Sequence, residues 1–282
     1  MLALARLVSS ATGHVSADEI RFGGEDLLAR SETQMQRIRG RRIGFVFQNP
    51  LSSLNPLLSI GEQISETIIR HMGLPRRAAR ARTADLLDRV GIPGARARLD
   101  DYPHQFSGGM RQRVMIAMAI ACDPEIILAD EPTTALDVTI QAQILDLLRS
   151  IVAQSGTAII LVTHDLGVAA GLCHRVSVMY AGQVVETAPV DAIFERPLMP
   201  YTWGLIDSIP RFDHKLGSAL PMLPGVPPDP MQLPSGCRFA ERCAHARTRC
   251  TQAAPRLTPR GAPTHVARCF GTDADGWLEV EA

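Results

Sequence analysis

The longest apolar stretch of the chain lies near its middle and predicts a buried helix followed by a buried strand. The helix begins after Ser107, a good N-cap residue, and its side chains are apolar without interruption from Val114 to Cys122. After the turn signal Asp123-Pro124, the short apolar run from Ile126 to Ala129 is typical of a parallel strand covered on both faces. These two elements predict an α/β fold.

The following segment extends this pattern into a strand–helix–strand unit. Apolar residues recur at helical spacing from Ile140 to Val152, and Ala158 to Thr163 predicts a second buried strand. Asp130-Glu131 follows the first strand, and His164 follows the second. Such units are right-handed, and parallel strands present their carboxyl ends at one edge of the sheet, so Glu131 and His164 are expected to lie together.

Shorter elements are predicted on both sides of this centre. They comprise an apolar helix without a cap, a strand before a glycine turn, a strand that ends near Gln48, two helices and a hairpin. In chain order they are residues 1–10, Glu19–Phe22, Arg42–Gln48, two helical patterns within Ile60–Val90 and a hairpin of Arg175–Tyr180 with Val184–Glu186.

Composition narrows the class of protein. The 282 residues allow one large domain or two smaller ones, and 46% hydrophobic residues are enough for a sizeable core. The formal net charge is zero, so nothing global points to nucleic acid. The longest strictly apolar run is too short to span a bilayer and no signal peptide is visible, so a membrane role would come through partner subunits.

The C-terminal part has a different composition. Nine of the twenty prolines lie between Pro197 and Pro234, which predicts an irregular connection into a separate module. Four of the six cysteines follow, with spacings C-x5-C-x6-C-x18-C, and this grouping suggests a metal site more than disulfides. Zinc sites usually have more closely paired cysteines, and four cysteines also suit an iron–sulfur cluster. These residues are Cys237, Cys243, Cys250 and Cys269.

The central stretch also carries candidate chemistry. Ser107, Gly108 and Gly109 leave the N–H groups of a helix N-terminus open to a ligand. Arg111 and Arg113 lie in the first turns, where the helix dipole disfavours cations unless an anion such as a phosphate binds there.

These motifs resemble those of a known family. SGGMRQR, IILADEP and TALD resemble the signature motif, Walker B strand and D-loop of ATP-binding-cassette (ABC) ATPases, and their order and spacing are specific. The resemblance implies a P-loop NTPase fold of the ABC type over residues 1–196. It would have a mainly parallel sheet, a helical subdomain at about residues 49–122 and a cysteine-containing extension over residues 197–282.

The resemblance also implies roles for individual residues. Glu131 would polarise the attacking water, and His164 would contact the γ-phosphate; a structural histidine is the alternative. Gln48 resembles the Q-loop glutamine, which touches Mg²⁺ or water, although a surface glutamine is the alternative. The remaining roles are Asp130 for Mg²⁺, Asp137 as the D-loop aspartate, and Ser107, Gly108 and Gly109, assisted by Gln112, for ATP across a dimer interface.

One motif of this class is missing. The sequence has no G-x-x-x-x-G-K-[ST] loop to cradle phosphates, and its only lysine is Lys215. In the family that loop precedes the helix that MLALARLV resembles, so we expect the chain to be N-terminally incomplete. A wrong start codon or disrupted gene is the preferred explanation, a half-site subunit is the second, and a chain that cannot fold is the third. Little or no ATPase activity is expected of this polypeptide alone.

The tail narrows the resemblance to one subfamily. MYAGQVVETAP, RPLMPYTWGLIDSIP, LPGVPPDP and GCRFAERC resemble the C-terminal region of dipeptide and oligopeptide importer ATPases. Some relatives hold a [4Fe–4S] cluster on four such cysteines. By resemblance, iron–sulfur is therefore preferred for this group, then zinc, then unligated thiols.

The resemblance thus implies an ATP-binding subunit that energises peptide import by binding and hydrolysing ATP at a cassette dimer. ATP and Mg²⁺ would be its cofactors. Its expected partners are a second ABC ATPase subunit, two transmembrane permeases contacted by the helical region after Gln48, and an extracytoplasmic peptide-binding protein. No nucleic acid partner is expected, and the subunit would lie on the cytoplasmic face of the bacterial inner membrane.

Other functions stay open. One is a catalytically silent half-site subunit that donates its signature loop to a partner cassette, or a gene fragment. Another is a soluble ABC protein of repair or translation. The single cassette, the lack of a coiled coil or basic tail, and the peptide-importer C-terminal region argue against the last.

Overall fold

A computed structural model describes residues 1–9, 11, 13–134, 136–209, 222–260, 262–272 and 276–278. The chain divides into two compact units, residues 1–164 and residues 165–282. Lys215 lies outside the described residues.

The first unit begins with short elements packed on an apolar cluster. β1 (Arg21–Phe22) and β2 (Glu25–Asp26) form a small hairpin, and α1 (Glu32–Ile38) follows, with a capping box between Ser31 and Gln34. Sequence analysis missed α1, although this capping pair is its signal. Residues of α1 pack with the sheet described next, in a cluster of Ala5, Leu27, Met35, Ile38, Ile43 and Leu128.

The predicted N-terminal helix is wrong for the described residues 1–9, which form successive turns. The N–H of Leu4 bonds to the carbonyl of Met1, and that of Leu7 to the carbonyl of Leu2. Arg6 has a φ of 51°, which a right-handed helix does not allow. An uncapped segment this short gains too little from helical bonds to offset nucleation.

Three parallel strands form the sheet that positions the candidate site. They are β3 (Ile43–Val46), β4 (Ile126–Asp130) and β5 (Ala158–Val162), in the order β3-β4-β5. The register pairs Val46 with Ala129 and Asp130 with Val162. The three carboxyl ends therefore lie at one edge of the sheet, as the strand–helix–strand pattern predicts.

β4 and β5 differ in burial, which corrects one prediction. Ile127, Leu128 and Ala129 of β4 are buried, as predicted. β5 alternates between exposed and half-buried residues, with Ile160 and Val162 at 40% and 41% exposure. Among the described strands β5 pairs only with β4, so it is an edge strand and its apolar side chains lack the cover that the sequence suggested.

Helices surround this sheet. The helical subdomain has α3 (Ile60–Met72) and α4 (Arg76–Arg89), the two predicted helices, preceded by the single turn α2 (Pro50–Ser53). α5 (Gly108–Ile120) is the predicted buried helix, and Ser107 is its N-cap. α6 (Val138–Ser155) crosses from β4 to β5 and ends at Gly156, as predicted.

The second unit is built on an antiparallel sheet. Strands β6 (Arg175–Tyr180) and β7 (Gln183–Pro189) form the predicted hairpin. β8 (Thr258–Arg260) and β9 (Ala262–Ala267) complete the order β6-β7-β9-β8. Its described helices are α7 (Leu166–Leu172), α8 (Val190–Glu195), α9 (Pro200–Asp207) and α10 (Thr248–Gln252).

β7 pairs with β9, so the chain before the proline-rich segment belongs to the same unit as the chain after it. The division between the two units therefore falls at residue 164, earlier than the sequence boundary at 196. Strands before and after the proline-rich segment share one sheet, so composition alone does not mark the structural division. Within the described ranges, no helix is both long enough and apolar enough to cross a bilayer.

Candidate active site

The carboxyl ends of the three parallel strands deliver the candidate catalytic side chains. Asp130 is the last residue of β4, and Glu131 follows it. Gln48 lies just beyond β3, and His164 just beyond β5. The parallel register therefore brings Gln48, Glu131 and His164 to the same edge.

The Glu131 carboxylate is the centre of this cluster. Its Oε2 accepts hydrogen bonds from Gln48 Nε2 at 2.8 Å and from Thr134 Oγ1 at 2.9 Å. Its Oε1 lies 3.2 Å from His164 Nδ1. The Glu131 side chain is 23% exposed and that of His164 is 74% exposed, so the carboxylate is sheltered while the imidazole faces solvent. This arrangement fixes the direction of the carboxylate and leaves the imidazole accessible to solvent.

The backbone of Glu131 is also unusual. Its φ is 44°, in the left-handed region that non-glycine residues rarely adopt. The Glu131 N–H donates to the carbonyl of Val162 at 2.9 Å, and the Glu131 carbonyl accepts from Thr134 N–H at 3.2 Å. These bonds hold a conformation that costs free energy, and such residues are concentrated at functional sites.

Hydrogen bonding keeps the Glu131 carboxylate charged. The hydroxyl of Thr134, followed by His164 and then Gln48, lowers the pKa of Glu131 below its ordinary value, and burial opposes this only in part. Sequence analysis did not single out Thr134. Its signal was available, because a hydroxyl residue within one turn after a strand-end carboxylate can reach back to it.

Ser107 and Asp137 lie at one open cleft of the first unit. Ser107 caps α5 by accepting from Met110 N–H at 3.3 Å, and Asp137 caps α6 by accepting from Ile140 N–H at 3.0 Å. The cleft has a volume of about 570 Å³, and Gln48, Glu131 and His164 are not part of its lining. The lining comprises Gly91, Pro93, Ser107, Gly108, Gly109, Met110, Arg113, Leu136, Asp137, Ile140 and Gln143. One chain thus presents two separate groups of candidate residues.

One detail of this region differs from expectation. Gln112 is only 2% exposed, its Nε2 has no hydrogen-bond partner among the described residues, and it does not line the cleft. Its predicted help in nucleotide binding therefore has no support from its position. Arg111 donates to the carbonyl of Pro103 at 2.7 Å, and Arg113 donates to that of Val90 at 2.5 Å. These carbonyl oxygens stabilise the two guanidinium groups near the positive end of the helix dipole.

The four C-terminal cysteines of the second unit line one cavity of about 20 Å³. Burial is the main cause that raises the pKa of Cys237 to about 11, and it also raises the pKa values of Cys243 and Cys269. Within the part of the chain that the structure describes, no group of three or more Cys, His, Asp or Glu residues is arranged to hold a metal ion. The cysteines converge, but the arrangement gives no support to the predicted iron–sulfur cluster.

Comparison with known proteins shows the family of the chain. Residues 2–134 match the family described as "ABC transporter", and residues 185–250 match "Oligopeptide/dipeptide transporter, C-terminal region". The chain is 51% identical over 250 residues to a peptide import ATP-binding protein of Brucella abortus, covering 89% of this chain and 74% of that protein. It is 49% identical over 244 residues to the oligopeptide transport ATP-binding protein OppD of Bacillus subtilis, covering 86% and 68%.

Solved structures show the same fold. A dimeric ATP-binding cassette, MJ0796, bound to ADP and Pi after hydrolysis is 31% identical, with a TM-score of 0.54 over 60% of this chain and 72% of that one. The structure of cbiO1 from Clostridium perfringens, part of an ABC transporter complex, is 29% identical, with a TM-score of 0.54 over 62% and 67%.

Proposed function

Because this chain belongs to the family of ATP-binding proteins of peptide ABC importers, we propose that it energises peptide import by binding and hydrolysing ATP at a cassette dimer. The observation that carries the hydrolytic part is the Glu131 carboxylate, held at the strand ends by Gln48, Thr134 and His164.

In this proposal Glu131 is the general base. Its carboxylate is ionised and oriented, so it can accept a proton from a water that attacks the γ-phosphate. The exposed His164 ring would donate to the γ-phosphate beside that water. These two residues position and deprotonate the nucleophile, while other groups balance the phosphate charge.

Mg²⁺ would supply that charge balance when it is bound. Asp130 offers a half-buried carboxylate at the end of β4, and Gln48 offers its amide oxygen, because its amide nitrogen is engaged by Glu131. Oxygen ligands of this kind suit a small, hard cation. Asp130 and Gln48 are therefore the proposed residues for Mg²⁺.

The cleft would receive the triphosphate held by a second cassette. Ser107 and Gly108 are exposed at the N-terminus of α5, where N–H groups and the helix dipole favour an anion. Gly109 and Asp137 line the same cleft. This chain and a second cassette facing each other would thus form two sites, with the Glu131 cluster of this chain at one and its Ser107 cleft at the other. The dimeric form described for MJ0796 supports this arrangement.

The proposed membrane partners would bind next to Gln48. Leu51 of α2 and Leu57 after it are 63% and 82% exposed, and such large apolar side chains are available to a partner. We propose two permease subunits there, a second ATPase subunit at the cleft, and an extracytoplasmic peptide-binding protein that delivers substrate. The chain would be peripheral, on the cytoplasmic face of the bacterial inner membrane.

The experiment that tests the function is peptide import by the assembled transporter, with Glu131→Gln and the exposed control Glu195→Gln. Loss of the base should lower ATP turnover and import by about 100-fold or more, while ATP binding is retained. The Glu195→Gln variant should match the parent. Normal import by the Glu131→Gln variant would refute hydrolysis at this site.

The same assay separates the half-site alternative, in which the chain only donates its signature loop to a partner cassette. The Ser107→Arg substitution would place a bulky, positively charged side chain in the cleft and block it. If the Ser107→Arg variant fails to import peptide while the Glu131→Gln variant imports it normally, the chain donates its signature loop without hydrolysing ATP itself.

For the cysteines we propose a structural metal-binding role, iron–sulfur before zinc, which rests on the family resemblance; the four thiols line one cavity, but among the described residues they are not arranged as a metal site. Metal ligation requires thiolates, and a bound cation would offset the cost of ionising a thiol whose pKa is about 11. Metal analysis of the anaerobically purified protein tests this. Absence of iron, zinc and visible absorbance removes the proposal.

A further inference from the structure

Arg113 lies in the lining of the Ser107 cleft and joins three elements of the first unit. Its Nη1 donates to the carbonyl of Val90, the residue that ends α4, at 2.5 Å. Its Nη2 donates to Gln143 Oε1 on α6 at 2.8 Å. One side chain of α5 is therefore tied to both the helical subdomain and the helix that Asp137 caps.

Glycines lie against both contacts. Gly91 has a φ of 78°, and a Cβ at this position would lie 2.8 Å from Arg113 Nη1, so the end of the arginine side chain would have to shift. A Cβ on Gly109 would lie 2.7 Å from Ile140 Cγ2. The first turns of α5 and α6 thus touch at Gly109 and Ile140, and Arg113 and Gln143 connect the same helices one turn further on.

We propose that Arg113 is a positioning residue that sets the separation between two loops. One loop leads into α5 and ends at its N-cap, Ser107, and the other leads into α6 and ends at its N-cap, Asp137. A single contact between two helices leaves them free to rotate about it, and a second contact one turn away removes that freedom. The bond to Val90 extends this brace to the helical subdomain, so a displacement of that subdomain moves both loops together. The consequence for catalysis rests on the proposed function.

The strength of the brace comes from charge-assisted hydrogen bonds on a half-buried guanidinium. Gln143 is exposed, so its bond adds little to the overall stability of the fold. Loss of Arg113 should therefore loosen the two loops locally and leave the global unfolding transition nearly unchanged.

Hydrogen exchange on the purified chain tests the brace directly. The informative amides are those of Met110 and Ile140, which bond to the capping side chains Ser107 and Asp137. Arg113→Met and Gln143→Leu should each speed exchange at both amides by about threefold or more. The double variant should be no faster than the Arg113→Met variant, because both changes break the same tie.

The matched control is Arg149→Met, which removes an exposed arginine of α6 whose ion-pair partner, Asp146, lies on the same helix. It should leave both amides unchanged. Unchanged exchange in the Arg113→Met variant, or fully additive effects in the double variant, would overturn the brace.

The assembled transporter tests the consequence. Arg113→Met should lower kcat for ATP about tenfold, since small misplacements of reacting groups are costly, and Arg113→Lys, which keeps a donor, should recover part of it. Faster exchange with normal kcat overturns the positioning role. If the parent assembly does not hydrolyse ATP, the proposed function fails, and hydrogen exchange alone decides whether the brace exists.

Discussion

At the scale of single residues, the site depends on how one carboxylate is held. Glu131 combines a rare backbone conformation with hydrogen bonds to both carboxylate oxygens. Its three partners come from different parts of the sequence: Gln48 from the end of β3, Thr134 from the following turn and His164 from the end of β5. Fixing the proposed general base in this way would reduce the reorganisation that proton transfer requires.

Thr134 gives a prediction at this scale. Thr134→Val removes one donor to Glu131 Oε2 while keeping the shape of the side chain, so the carboxylate is less well oriented. ATP turnover by the assembled transporter should fall about tenfold. Thr134→Ser keeps the hydroxyl and should stay close to the parent; equal losses in the two variants would contradict a hydrogen-bonding role.

A second residue-scale prediction concerns pH. Arg42 donates to Glu125 at 2.5 and 3.1 Å, and this hydrogen bonding lowers the pKa of Glu125. A carboxylate with a lowered folded-state pKa stabilises the fold above its unfolded pKa and loses that effect as pH falls through the folded value. Glu125→Gln should cost less than about 1 kcal/mol at neutral pH, because the pair is exposed. In urea unfolding, the difference from the parent should shrink below about pH 4.

At the scale of elements, β4 and β5 show why apolar composition does not fix burial. Both are short apolar strands, yet Ile127 of β4 is fully buried and Ile160 of β5 is 40% exposed. β4 is hydrogen-bonded on both sides, whereas β5 pairs among the described strands only with β4. Position in the sheet therefore decides how much each side chain contributes.

This difference predicts unequal costs of mutation. Ile127→Ala should lower the free energy of unfolding by about 2–5 kcal/mol, as expected for a buried aliphatic side chain. Ile160→Ala should cost less than half as much, because its side chain keeps access to water in the folded state. Denaturant unfolding followed by circular dichroism measures both, and equal costs would mean that β5 is covered in solution.

At the scale of the whole molecule, each unit contains a carboxylate that is held by hydrogen bonds from separate segments of the chain. In the second unit, Glu186 is fully buried and accepts from the N–H groups of Leu198 and Met199 at 2.6 and 3.1 Å. His265 Nε2 of β9 lies 2.7 Å from the same carboxylate. One side chain of β7 thus joins the second strand of the hairpin to the start of α9 and to the C-terminal strand.

Glu186→Ala should therefore destabilise the second unit selectively. It would leave two buried N–H groups and an imidazole without their acceptor, at a cost of about 3 kcal/mol or more. Both tryptophans of the chain, Trp203 and Trp277, belong to this unit, so their fluorescence reports its unfolding separately from circular dichroism. The exposed Glu195→Ala is the matched control, and a fluorescence midpoint unchanged by Glu186→Ala would contradict this role.

The sequence by itself determined which residues are candidates for the chemistry. Ser107 as an N-cap, Asp130-Glu131 after an apolar strand and the helix stop at Gly156 are local signals, because they depend on residues next to each other in the chain. The order and spacing of the motifs also identified the family by resemblance. These signals do not require knowledge of distant contacts.

Only the tertiary structure decided the rest. The exposure of β5, the burial of Gln112, the bonds of Arg113 and the sharing of one sheet by β7 and β9 depend on residues brought together from distant segments of the chain. The hydrophobic pattern indicates which side chains favour burial. Position in the sheet determines how far apolar side chains are buried, and the available carbonyl oxygens determine which bonds polar side chains make. The proposed chemistry therefore begins with local motifs, and its geometry is set by the packing around them.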